Sequence, residues 1–193
     1  RLPLTKPNLD PARAAFSMLV NDPANPNSLS ENSAWSFAQT DDGFVWIGTQ
    51  GGLNRYDPKT GDFKVYREKD GLRNSTILTV NLDKQGFLWL TTNNGLAKFD
   101  PKTETFRIYD KSDGLQGNEF NSNAAMFSHS TGDMYVGGVS GFSIFDPMEL
   151  HDNTVPPNVV ITDFSIFNVP QTFDPGEPIR LSHDQDFISF EFA

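Results

Sequence analysis

Residues 43–58 read GFVWIGTQGGLNRYDP, and residues 86–101 read GFLWLTTNNGLAKFDP. The offset is 43 positions at every match: Trp46 with Trp89, Leu53 with Leu96, Asp57-Pro58 with Asp100-Pro101. The register continues through Phe63 and Phe106, Tyr66 and Tyr109, and then Asp70-Gly71-Leu72 and Asp113-Gly114-Leu115. A weaker third copy covers Gly132–Gly138 and Gly141–Pro147. It lies 46 positions beyond the second, so three residues are inserted upstream of it. A gapless offset over so many aromatic and glycine positions marks a repeat architecture, in which neighbouring units bury one another's apolar faces.

Each repeat divides into four short strands. In the second copy the expected strands are Ile77–Asp83, Phe87–Thr92, Leu96–Asp100 and Thr105–Tyr109. Asp83-Lys84-Gln85-Gly86 separates the first two, with Asp to bond the backbone and Gly to supply a positive φ. Asn94-Gly95 and Gly51-Gly52 mark the next hairpin, and Asp100-Pro101-Lys102-Thr103 marks the third. Four strands in about 40–45 residues is the size of one β-propeller blade. The expected blades are 32–66, 75–109 and 121–147, the last without its fourth strand. Phe16–Val20 matches the fourth-strand pattern, so it is expected as the outer strand of a preceding or closing blade. Three blades do not close a ring, since propellers typically have four to eight. The chain is therefore expected to be part of a larger protein, or to close with another piece.

Beyond Pro147 the pattern stops. Residues 148–158 are polar with a Pro-Pro, as in a domain linker. Val159–Asn168, Pro178–Leu181 and Phe187–Phe192 read as three further strands, the last alternating as a half-buried strand does. The fold class is thus all-β: a partial propeller over 1–147 of about three four-stranded blades, then over 159–193 the first strands of a sandwich.

Composition agrees with this. The 193 residues include 17 Phe, 15 Gly and 13 Pro, which suits many short strands and turns rather than long helices. Net charge is −10, from 25 acids against 15 bases, which argues against nucleic acid or an anionic membrane as partner. The absence of cysteine excludes disulfides, thiolate metal sites and cysteine nucleophiles. No apolar run approaches the ~20 residues that span a bilayer, so membrane contact is expected only through segments outside this chain.

No catalytic constellation stands out. His129, His151 and His183 lack ligand spacing, and Asp41-Asp42-Gly43 lacks the alternating acids of a cation loop. Thr40–Trp46 resembles the Asp-box of sialidase propellers, itself a structural hairpin device. No catalytic residue, metal or cofactor is expected. Propeller ligands usually sit on one face, at the loops entering the inner strands, here 29–35, 72–76 and 115–121. The candidate binding residues are Asn32, Trp35, Arg73, Asn74, Glu119 and Asn121. Amides suit sugar hydroxyls, an indole suits a pyranose face, and a guanidinium suits an acidic sugar. The alternative, and the leading one, is that these asparagines cap turns and Trp35 fills core.

The pattern at 43–58 and 86–101, with one Gly-to-Thr change between Gly48 and Thr91, resembles the two-component regulator propeller repeat. Asp113–Leu115, Asn118–Asn121, Tyr135–Gly138 and Phe145–Pro147 resemble that family's closing repeat. Pro156 to Phe192 resembles the start of the Tyr-rich immunoglobulin-like domain that usually follows. The resemblance implies an extracytoplasmic ligand-sensing module, non-catalytic, of a membrane-bound two-component receptor. Its place would be the periplasmic or extracellular face of the bacterial inner membrane. It implies an oligosaccharide or other small molecule as ligand, and the remainder of the receptor chain as partner. It also implies a homodimer through the sandwich domain, and a cytoplasmic histidine kinase or diguanylate cyclase elsewhere in the full protein. The alternatives are a propeller scaffold for protein–protein interaction and a secreted carbohydrate-active enzyme.

Overall fold

The computed structural model describes residues 17–150, 160–174 and 178–192. The chain divides into two compact units, Arg1–Leu150 and His151–Ala193. The first carries three antiparallel sheets. Blade 1 comprises β1 (Ala34–Gln39), β2 (Val45–Thr49), β3 (Gly52–Tyr56) and β4 (Phe63–Tyr66). Blade 2 comprises β5 (Ile77–Leu82), β6 (Leu88–Thr92), β7 (Leu96–Asp100) and β8 (Thr105–Tyr109). Blade 3 comprises β9 (Phe120–Phe127), β10 (Met134–Gly138) and β11 (Gly141–Phe145). Strands pair strictly in chain order within each blade, and the first strands β1, β5 and β9 lie side by side. This is a partial propeller, as the repeat implies.

Strand β6 shows what holds the blades together. Its five residues LWLTT are buried throughout, because both faces of blade 2 are covered. Leu88 and Leu90 face the seam with blade 1, together with Trp46, Leu53, Ile77, Val80 and Phe99. Trp89, one residue out of phase, faces the seam with blade 3, together with Leu96, Tyr109, Phe120, Met134 and Val136. The period of two along a strand thus divides one sequence between two cores. The Trp46 ring meets Phe99 of blade 2 edge-on at 5.3 Å, and Trp89 meets Phe145 of blade 3 at 5.0 Å. Both indoles, at 1% and 0% exposure, still find acceptors. Trp46 Nε1 donates to Thr40 Oγ1 at 3.1 Å, and Trp89 Nε1 donates to Asp83 Oδ2 at 2.8 Å. The second bond is made by the turn aspartate, whose Oδ1 also accepts from the amides of Gln85 and Phe87.

Blade 3 ends the series differently. Gly52 and Gly95, both with left-handed φ, abut the fourth strand of their own blades. A Cβ there would lie 2.4 Å from Tyr66 O and 2.9 Å from Tyr109 O. At the equivalent Gly141 a Cβ would meet nothing within 4 Å. Met126, Phe142 and Ile144 are exposed on the outer face, whereas Leu96, the counterpart of Phe142, is 1% exposed. Residues 151–158 of the expected linker, and Phe16, lie outside the described residues. Ser17–Val20, expected as strand, is irregular and exposed. Its apolar side chains have no sheet to join among the described residues.

The second unit holds a three-stranded sheet of order β13-β12-β14, from β12 (Ile161–Ile166), β13 (Val169–Gln171) and β14 (Ile188–Phe192). The expected strand to Asn168 instead breaks at Ile166. Phe167 and Asn168 both take left-handed φ, 49° and 64°, and form a two-residue hairpin turn. The apolar Phe167 disguised that turn, since aromatic residues seldom adopt this conformation. Pro178–Leu181 is not a strand. Proline donates no ladder hydrogen bond, and the segment lies over the Phe164 face of the sheet as a loop. Phe164 is buried and stacks on Phe190, its partner in register on β14.

Replacing Trp89 by Ala is expected to destabilise the first unit by ~3–5 kcal/mol. The Tyr135→Ala change at the equivalent, half-buried position of blade 3 should cost clearly less. Equilibrium denaturation with urea distinguishes the two.

Candidate functional site

The three loops that enter β1, β5 and β9 lie on the same face as the hairpins between second and third strands. Ser30 N donates to Asn54 Oδ1 at 2.8 Å, and the Ser30 and Thr49 hydroxyls lie 2.8 Å apart. Arg67 Nε donates to Gly51 O at 3.0 Å, and Gly95 N donates to Asn118 O at 2.7 Å. Asn54 is fully buried, and its amide nitrogen serves Ile47 O, Thr49 Oγ1 and Gly52 O. A polar residue inside a strand thus anchors the first loop, a role that the repeat pattern does not signal because Ala97 replaces it in blade 2.

The Asp-Gly-Leu element fixes where two of these loops begin. Glu68–Asp70 and Lys111–Asp113 each form one 3₁₀ turn. The aspartate caps it, Asp70 Oδ2 accepting from Arg67 N at 2.9 Å and Asp113 Oδ2 from Asp110 N at 2.8 Å. Gly71 and Gly114 then reverse the chain at φ 111° and 101°. Leu72 is buried in the seam.

Several candidate side chains are engaged in closing these loops. Asn32 Oδ1 accepts from Asn21 N, and Asn118 Oδ1, at the equivalent position, accepts from Lys111 N, both at 2.8 Å. Ser75, the counterpart in blade 2, bonds to the Glu68 carboxylate instead. Asn74 Oδ1 accepts from Thr76 N at 2.9 Å, and Glu31 does the same for Ser33 N at 2.8 Å. Arg73 reaches along the face to Asp110, with Nη1 to Oδ2 at 2.8 Å. Trp35 is half-buried and packs against the core between blades 2 and 3. Glu119 and Asn121 are exposed, and neither side chain makes a hydrogen bond among the described residues. One residue missed in the sequence joins them. Gln116 has its amide N and O shielded and without a hydrogen-bond partner. It sits over Gly138, where a Cβ would come within 2.3 Å of its Nε2.

His129 packs edge-on against Phe127, and His151 lies outside the described residues. Among the described residues there is no group of three or more metal-ligating side chains, and no helix is long and apolar enough to cross a membrane.

The electrostatics of the face centre on Asp110. Its carboxyl is held down to about 2, first by the Ser112 hydroxyl, then by Arg73 and the Ser112 amide. A depressed acid stabilises the fold above its ordinary value of 3.8, and that contribution is lost as pH falls through about 2. Arg73→Met is therefore expected to raise the Asp110 pKa only part of the way to 3.8, because Ser112 stays in place. Carboxyl carbon shifts followed by NMR over an acid titration check this. A return to the full ordinary value would show that Arg73 acts alone.

Comparison with known proteins finds similarity over one repeat and over the fold. The two-component regulator propeller model matches residues 28–51, which cover the first loop, β1 and β2. The extracellular domain of a putative hybrid two-component system from B. thetaiotaomicron has the same fold. It shares 24% identity and a TM-score of 0.51, over 89% of this chain and 30% of that one. A second such extracellular domain from that organism shares 26% identity over 83% of this chain and 22% of the other, at a TM-score of 0.47. Virginiamycin B lyase from Staphylococcus aureus is matched at 14% identity over 58% of this chain and 41% of the lyase, at a TM-score of 0.41. No curated protein matches. The chain spans under a third of the length of the two extracellular domains. Residues 28–51 are thus similar to a repeat of the two-component regulator propeller family.

Proposed function

We propose that this chain is part of the extracytoplasmic ligand-sensing module of a membrane-bound two-component receptor, and that it is non-catalytic. The observation that carries this reading is the family match at 28–51, because it falls on the first of the three loops that share one face. A rigid face built on capped turns is suited to recognition without reorganisation, which lowers the entropic cost of binding. The ligand class we assign is an oligosaccharide or other small polar molecule. Glu119, Asn121 and the half-buried Trp35 offer an acceptor, an amide and an apolar ring on that face. Asn32, Arg73 and Asn74 shape the surface around them. The sheet of the second unit, polar on one face (Asp163, Ser165) and apolar on the other (Phe164, Ile166), supports its assignment as the start of an immunoglobulin-like sandwich. We assign a homodimer contact to that domain. The exposed row Met126, Phe142 and Ile144 on blade 3 supports packing against the remainder of the same receptor chain.

Titration calorimetry of the receptor ectodomain against a panel of oligosaccharides tests the reading. At least one member should bind, and the double change Glu119→Gln with Asn121→Ala should weaken it roughly tenfold or more. The panel should be recovered unhydrolysed. No binding across the panel, or undiminished binding by the double variant, would sink the assignment of this face. Turnover lost on Glu119→Gln would establish an enzyme instead. Engineered cysteines in the sandwich should give a different crosslinking pattern once the binding panel member saturates the protein, as a rigid-body change requires.

A further inference from the structure

We propose that Glu104 is an acid-releasable clasp between blades 1 and 2. It lies in the turn between β7 and β8 and reaches across the seam to three groups of blade 1. Oε1 accepts from Arg55 Nη1 at 3.2 Å and from Tyr66 Oη at 2.9 Å. Oε2 pairs with Lys64 Nζ. All three partners lie on β3 and β4, so a single side chain of blade 2 gathers the outer half of blade 1.

Two further observations separate this from an ordinary surface ion pair. The first is backbone conformation. Glu104 has a left-handed φ of 58°, and the equivalent residue of blade 1 is Gly61, with φ 84°. A glycine takes that conformation without a Cβ penalty, whereas glutamate does so at a cost, and such outliers persist where the surroundings hold them. The second is the pairing of like charges. Arg55 and Lys64 are directly opposite in the β3–β4 register, an arrangement that is unfavourable by itself. The Glu104 carboxylate lies between the two cations and compensates both. In blade 3 the equivalent position is Leu150, so the clasp belongs to this one seam.

The charged and titratable groups around it are Arg55 on β3, Lys64 and Tyr66 on β4, and Asp70 in the following turn. Lys64 first, through its hydrogen bond, and then Tyr66 hold the Glu104 carboxyl below its ordinary 4.5. Burial, and then Glu104 itself, push the Tyr66 phenol up, so Tyr66 stays protonated and keeps donating. The sign follows from the depressed acid. The clasp stabilises the fold above 4.5 and is lost as pH falls through the lower folded value.

Thermal unfolding of the chain and of Glu104→Gln, from pH 7 down to pH 2, tests the proposal. At pH 7 the variant should melt about 2–4 °C lower, and the gap should close in acid. About 1 M salt should narrow it, as a partly exposed charge network requires. Glu104→Gly, which installs the residue of blade 1, should also melt lower at pH 7 even though it relieves the left-handed backbone. An NMR titration of the Glu104 carboxyl should give a value below 4.5 that rises in Lys64→Met. No gap at pH 7, a gap unchanged by acid, a Glu104→Gly variant as stable as the parent, or an ordinary Glu104 titration would each overturn it.

Discussion

The architecture depends on one packing event repeated along the chain: an indole from the second strand of one blade set against a phenyl ring from the third strand of the next. Trp46 on Phe99 and Trp89 on Phe145 are the two instances. Each ring is large enough to bury about 150–250 Å², and each indole is anchored at its nitrogen by the turn that precedes its own strand. The turn, the strand and the seam are therefore not independent. A change in the turn residue that accepts from the indole would be felt between blades.

The same coupling sets the face formed by the loops. The loops entering the inner strands are short; two of them start from the Asp-Gly-Leu element, and the first and third are held against the hairpins by Ser30 and Asn118. Many of their polar groups are used internally, which leaves few side chains standing clear. At the opposite ends of the outer strands, Glu104 draws two neighbouring cations together across a seam. Blade 1 has glycine there and blade 3 has leucine. The repeats share their packing rings but differ in how each seam is fastened.

Much of this was legible in the residues. The 43-position offset located the strands of blade 2 to within one residue at each end. The buried state of both tryptophans followed from their recurrence at the repeat period. The hairpin at Phe167-Asn168 was not legible, because a left-handed phenylalanine carries no local signal and is tolerated only in its tertiary setting. The candidate site was legible as a set of loops but not as a set of roles. Asn32 and Asn121 look alike in sequence and both are exposed, yet Asn32 accepts from Asn21 N while the Asn121 side chain makes no hydrogen bond among the described residues.

What the sequence by itself determined is the element type, the blade register and the division of alternate side chains between two seams, because these follow from a period of two inside a period of 43. Only the tertiary structure decided which polar side chains are engaged and which stand clear. Hydrogen-bond partners such as Glu104 and Arg55, or Ser36 and Val80, are more than 40 positions apart in the chain and lie on different blades. Their pairing depends on the distance between blades, which no local pattern encodes.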